Sequence, residues 1–117
     1  MSADKPIIYH NPRCSKSREA LQIIVQNNKN PEIIEYLKNP PSEEELKRIV
    51  KLLGISARDL LRTNEQAYID AKLDESATDE QIIDIICNNP ILLQRPIVIS
   101  GNRAVIGRPP SKVLEII

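Results

Sequence analysis

Phenylalanine and tryptophan are absent from the chain. An interior without them has to be assembled from aliphatic side chains, and the abundant isoleucine and leucine supply them, which suits a mixed α/β domain. Net charge is missing as well. Sixteen Lys and Arg residues balance sixteen Asp and Glu residues, which removes the long-range field that a general nucleic-acid or anionic-membrane binder uses. Any anion site must therefore be local. Long apolar runs are also lacking, and the opening segment MSADKPIIYHNP holds neither the apolar core of a secretory signal nor a membrane span. A soluble, cytoplasmic protein is expected. Cysteine is sparse: Cys14 and Cys87 stand 73 positions apart, which points away from a disulfide framework and from a four-ligand zinc site. Reduced thiols and no bound metal are the expectation.

What is present fits a single domain. A chain of 117 residues buries roughly two thirds of the surface that its unfolded form exposes, enough for one core. The apolar, β-branched run from Pro6 to His10 predicts a buried strand that ends in the turn NPR. A helix fits Ser15 to Asn27, with Ala20, Leu21, Ile24 and Val25 on one face, and Pro31 blocks its continuation. The run EIIEYL, Glu32 to Leu37, reads as a second strand, parallel to the first.

From Pro40 to Pro90 the pattern predicts only helices. Ser42 and Glu45 form a capping box ahead of an apolar stripe at Leu46, Ile49, Val50 and Leu53, which Gly54 terminates. Ser56 is placed to cap a short helix through ARDLL, and Thr78 with Gln81 forms a second capping box before IIDIIC. Beyond it, RPIVIS and RAVIG read as a hairpin turning at Gly101 and Asn102, and PPSKVLEII as a closing helix. With the helical block set aside, the order is strand, helix, strand, strand, strand, helix, which is the thioredoxin arrangement.

Cys14 falls between the first turn and the first helix, where unpaired amides and a partial positive charge favour a thiolate. A free thiol with such help drops from about 8.5 to well below neutral pH. His10, the only histidine, is close enough in sequence to lend a proton or a charge, and Arg13, Lys16 and Arg18 add positive side chains. Two readings stand side by side: a reactive thiolate, and a small half-buried residue in a turn. The motif from Cys14 to Ser17 is CxxS. Ser17 offers a hydrogen bond to the thiolate but cannot resolve a mixed disulfide, so a second thiol must come from elsewhere. Cys87 lies among helix-core isoleucines and reads as a packed structural cysteine. A loop of one cysteine, five residues and an arginine around a tetrahedral oxyanion is not formed, because Ala20 stands six positions after Cys14. Oxyanion recognition can still come from distant arginines. Arg62 ends DLLR, while Arg95 and Arg108 each precede a proline at a strand boundary. Spacing alone leaves them equally readable as solvated surface residues.

The segments YHNPRCSKSREAL, EYLKNPPSEEEL, LLRTNE, ILLQRPIVI and GRPPSKVLEII together resemble the arsenate reductases that work with glutathione and glutaredoxin, within the larger arsenate reductase and Spx-type family. The resemblance runs in order along nearly the whole chain. It implies a thioredoxin-like fold with a mixed four-stranded sheet, one domain over residues 1–117 with a helical insertion at about 40–90, and a monomer. It places the nucleophile on Cys14, its supporting histidine on His10, the motif serine on Ser17, the oxyanion arginines on Arg62, Arg95 and Arg108, and a cis-proline on Pro96. It implies arsenate as substrate, glutathione as co-substrate, glutaredoxin as partner and no bound cofactor. Two features depart from those enzymes: Ser15 stands where they carry glycine, and the chain ends at Ile117 where they have a further tail.

Two other functions are compatible with the same fold. One is an Spx-type redox-sensing regulator that binds RNA polymerase. Such regulators commonly carry a second cysteine where Ser17 stands, and they tend to replace some of the three arginines. The other is a thiol-dependent reductase of a different substrate.

Overall fold

The computed structural model describes residues 5–117; the first four residues, part of the opening segment read above as lacking a leader, lie outside the described residues. The chain divides into two compact units, Met1–Asn39 with Arg95–Ile117, and Pro40–Gln94.

The first unit carries the sheet. Strand β1 (Ile7–His10) leads through helix α1 (Ser15–Gln26) to β2 (Glu32–Glu35), and the returning chain adds β3 (Ile97–Ser100), β4 (Arg103–Ile106) and a 3₁₀ helix at Pro110–Glu115. The strand order is β2-β1-β3-β4. β1 runs parallel to β2 and antiparallel to β3, which pairs antiparallel with β4. The register aligns Ile8 with Ile33 and Val98, and Val98 with Val105. Of that row, Ile8 and Val98 meet Ala20 and Ile24, one turn apart on α1, and Val113 and Ile116 from the closing segment, so Ile8, Ala20, Ile24, Val98, Val113 and Ile116 form one aliphatic cluster. Fully burying one such isoleucine contributes roughly 1.5–3 kcal/mol.

Helix α1 stops where the sequence says it should. Asn28 takes φ +62, and the Lys29 N–H donates to the Ile24 carbonyl at 3.2 Å, the closure of a Schellman motif with asparagine in the left-handed position. The hairpin turns with Gly101 at φ +61, between the closing pair Ser100 and Arg103.

The second unit holds α2 (Glu43–Leu53), a 3₁₀ turn (Ala57–Leu60), α3 (Gln66–Ala71), α4 (Asp79–Asn88) and a 3₁₀ turn (Pro90–Leu92). Both expected capping boxes are present, Ser42 with Glu45 and Thr78 with Gln81, and Gly54 ends α2 at φ +68. Its buried side chains include Leu46, Ile49, Ile82, Ile83 and Ile86.

Four expectations need correction. β2 ends at Glu35, not Leu37, because the Lys38 and Asn39 N–H groups both donate to the Glu35 carbonyl at 2.9 Å and close a turn there. The helix capped by Ser56 and the helix closing the chain are both 3₁₀. The block from Pro40 to Pro90 is not purely helical, since Leu61 makes an antiparallel bridge to Leu93. Among the described residues, no helix is long and apolar enough to cross a membrane.

Candidate active site

The turn after β1 is built by Asn11. Its carbonyl accepts the Cys14 N–H at 3.0 Å, its Oδ1 accepts the Arg13 N–H at 3.0 Å, and its own N–H donates to Ser17 Oγ at 3.1 Å. Asparagine suits this place because its short side chain imitates a backbone turn, and Pro12 follows with a preset φ. The turn delivers Cys14 to the N-cap of α1 in an extended conformation, with no acidic residue in the first helical turn to compete for the amides. The Cys14 carbonyl accepts the Arg18 N–H at 3.0 Å and begins the helix.

The half-buried Cys14 thiol is the electrostatic focus. Burial works against its ionisation, but the Ser17 N–H, the Arg95 guanidinium and the Lys16 N–H outweigh it, and its pKa lies below the ordinary value. Arg95 reaches this position from the residue before Pro96. Burial opposes its charge too, and the neighbouring Cys14 thiol and Tyr36 hydroxyl more than compensate. Its Nε and Nη1 are buried without a hydrogen-bond partner among the described residues. Arg108, exposed, donates from Nη1 to the Arg95 carbonyl at 3.0 Å. The Arg95–Pro96 and Arg108–Pro109 peptide bonds are both cis.

His10 and Ser17 form a separate buried pair beneath the turn. Ser17 is fully buried, and its Oγ lies 2.6 Å from His10 Nδ1. One proton sits between these atoms in either tautomer, and the Asn11 N–H uses a further lone pair of the hydroxyl. Burial pushes the His10 pKa down, aided by Arg18 and opposed by Glu35.

Cys14, His10, Ser17, Arg95 and Arg108 thus belong to one unit, around the β1–α1 turn and the two proline-linked loops. Arg62 belongs to the other, where its N–H donates to the Leu92 carbonyl at 2.7 Å and its Nε lies 3.3 Å from Glu65 Oε1. Two details differ from the expectation drawn from spacing. Ser17 meets the sulfur through its backbone N–H, while its hydroxyl is turned to His10 and Asn11. The cation that acts on Cys14 is Arg95, distant in sequence, and not Arg13, Lys16 or Arg18. Arg18 instead donates from Nη1 to the Pro12 carbonyl at 2.9 Å.

Sequence reasoning passed over Asn11 and Tyr36 as individuals. The Asn-Pro pair was a usable signal for the first, since it marks a turn initiator. Tyr36 sat within a run read wholly as strand. Among the described residues, no three His, Cys, Asp or Glu side chains are grouped so as to hold a metal ion.

A thiol held at a helix N-terminus beside an arginine, on a mixed sheet of this order, defines a thioredoxin-like protein with a single activated cysteine. The chain belongs to the ArsC family, whose profile matches residues 9–116. It is 46% identical over 94% of its length to the uncharacterized protein YfgD of Escherichia coli K12, and covers 94% of that protein. It is 43% identical to an arsenate reductase of Haemophilus influenzae, with 95% of this chain and 97% of the relative aligned. The solved arsenate reductase from Vibrio cholerae superposes with a TM-score of 0.95 at 41% identity, covering 99% of this chain and all of that one.

Proposed function

We propose that this protein is an arsenate reductase in which Cys14 is the nucleophile. The carrying observation is the Cys14 thiol at the start of α1 with its pKa held down by the Ser17 N–H and Arg95. The family membership and the named relatives support the choice of arsenate.

In this reading the Cys14 thiolate attacks the pentavalent arsenic. An As–S bond forms, an As–O bond breaks, and the displaced oxygen takes up protons and leaves as water. Arg95 and Arg108 hold the remaining oxygens and offset the charge that develops on them. For Arg62 the support is the resemblance, together with a half-buried guanidinium that Glu65 keeps in place. His10 and Ser17 act on the turn that carries Cys14, because their bond and the Asn11 N–H fix the loop from beneath. Glutathione then binds the same arsenic through its sulfur, displacing a second oxygen that takes up protons and leaves as water. Attack on the glutathione sulfur by a glutaredoxin thiolate leaves two electrons on arsenic, which becomes trivalent, and yields a mixed disulfide of glutathione and glutaredoxin. Hydrolysis of the remaining As–S bond releases arsenite and restores Cys14. CxxS suits this sequence, since no resolving sulfur of the chain's own is needed. A monomer working in the cytoplasm, where both thiol donors are kept reduced, is consistent with this chemistry.

The test is quantification of arsenite formed from arsenate by the purified protein with glutathione and glutaredoxin, with each component omitted in turn. Arsenite that depends on the protein and on both thiol donors supports the reading. No arsenite in the complete mixture defeats it.

A further inference from the structure

The chain contains three glycines. Gly54 and Gly101 take φ +68 and +61, a region that side chains other than glycine's rarely adopt, so the backbone accounts for both. Gly107 lies outside that region. Its reason is spatial: a Cβ there would sit 2.9 Å from Pro96 Cγ and 3.5 Å from both Pro96 Cδ and Val113 Cγ2. Pro96 is buried, and a pyrrolidine ring cannot rotate aside as a flexible side chain would.

The close approach is continuous with the sheet. The Gly107 N–H donates to the Pro96 carbonyl at 2.8 Å, one step beyond the last pair of β3 and β4, Ile97 with Ile106. Each partner in this contact adjoins a candidate oxyanion ligand. Arg95 precedes Pro96, Arg108 follows Gly107, and the Arg108 guanidinium donates to the Arg95 carbonyl at 3.0 Å.

We propose that Gly107 is a positioning residue: with no side chain between them, the Gly107 and Pro96 backbones close on each other and set where the Arg95 and Arg108 guanidiniums stand. This inference rests on the reading of the site as one that binds arsenate, and Gly107 acts through the two arginines without touching substrate. A methyl group at 107 forces the Pro96 loop and the end of β4 apart, and the arginines separate with them.

The test compares Gly107→Ala with Gly54→Ala, which strains the backbone in open space in the other unit. Four quantities are read: the arsenate KM, the kcat, the pH profile of Cys14 alkylation by iodoacetamide, and Tm. Gly107→Ala is expected to raise KM roughly tenfold or more, since small displacements of binding groups carry large kinetic costs. It is also expected to move the alkylation midpoint upward as Arg95 withdraws from the sulfur. Gly54→Ala is expected to lower Tm and to leave KM and the midpoint alone. A change in KM or midpoint that Gly54→Ala does not share supports the inference; wild-type values of both in Gly107→Ala overturn it. A wild-type protein without arsenate turnover defeats the functional reading instead, and the alkylation midpoint then still decides whether Gly107 places Arg95. Should Gly107→Ala not fold, Pro96→Ala removes the ring on the other side of the same contact and is judged by the same two outcomes.

Discussion

Arg95 and Cys14 stabilise each other's charged form against a burial that opposes both. The sulfur is therefore easier to ionise before any substrate arrives. Arg95→Ala should move the pH midpoint of Cys14 alkylation upward and slow alkylation at neutral pH. Tm should change little, because removing the buried, unpartnered Nε and Nη1 atoms offsets the loss of the interactions with Cys14 and Tyr36. A midpoint identical to wild type would show that the helix N–H groups alone prepare the sulfur.

Arg108 tests substrate binding more cleanly, since its side chain is exposed and donates to the Arg95 carbonyl. A hydrogen bond to a charged group is worth about 1.5–3 kcal/mol, so Arg108→Ala should raise the arsenate KM between roughly tenfold and a hundredfold. Its alkylation midpoint should change less than that of Arg95→Ala. An unchanged KM would remove Arg108 from the oxyanion site.

The pair beneath the turn makes stability depend on pH. Burial holds the folded pKa of His10 below its ordinary 6.5, so the unfolded chain binds the proton more readily. Stability is then full above about 6.5 and is lost as pH falls from there through the folded value. Urea midpoints should decrease on acidification over that window, and His10→Gln should flatten the decrease. Ser17→Ala should lower stability at every pH, by about 1–3 kcal/mol for each buried group left without its partner. A pH profile that His10→Gln leaves unaltered would assign the acid sensitivity elsewhere.

Much of this architecture was legible in the chain because its signals are local. The capping pairs Ser42 with Glu45 and Thr78 with Gln81 mark helix starts within four residues, and the spacing of Ala20 and Ile24 marks a buried face. The placement of Cys14 before α1 was equally readable. The end of β2 was not, because a turn closed by backbone N–H groups of Lys38 and Asn39 leaves no side-chain trace in the EIIEYL run. Nor could spacing tell which cation serves Cys14. Arg18 is nearer in sequence but spends its guanidinium on the Pro12 carbonyl, and Arg95 arrives only when β3 pairs beside β1. The same limit hid the partner of the Ser17 hydroxyl, which only the fold of the turn reveals.

Cys87 provides the contrast within the molecule. Burial, followed by Glu43, Asp84 and Glu45, pushes its thiol up. At neutral pH an alkylating reagent should therefore label Cys14 well before Cys87, as peptide mass spectrometry of briefly treated protein would read out. Preferential labelling of Cys87 would contradict the electrostatic account of both sites.

The most direct measurement is arsenate-dependent turnover of Cys14→Ser beside Cys87→Ser, each supplied with glutathione and glutaredoxin and each shown to be folded. The account predicts that Cys14→Ser forms no arsenite while Cys87→Ser turns over like the wild type. Turnover by Cys14→Ser at the wild-type rate would contradict it.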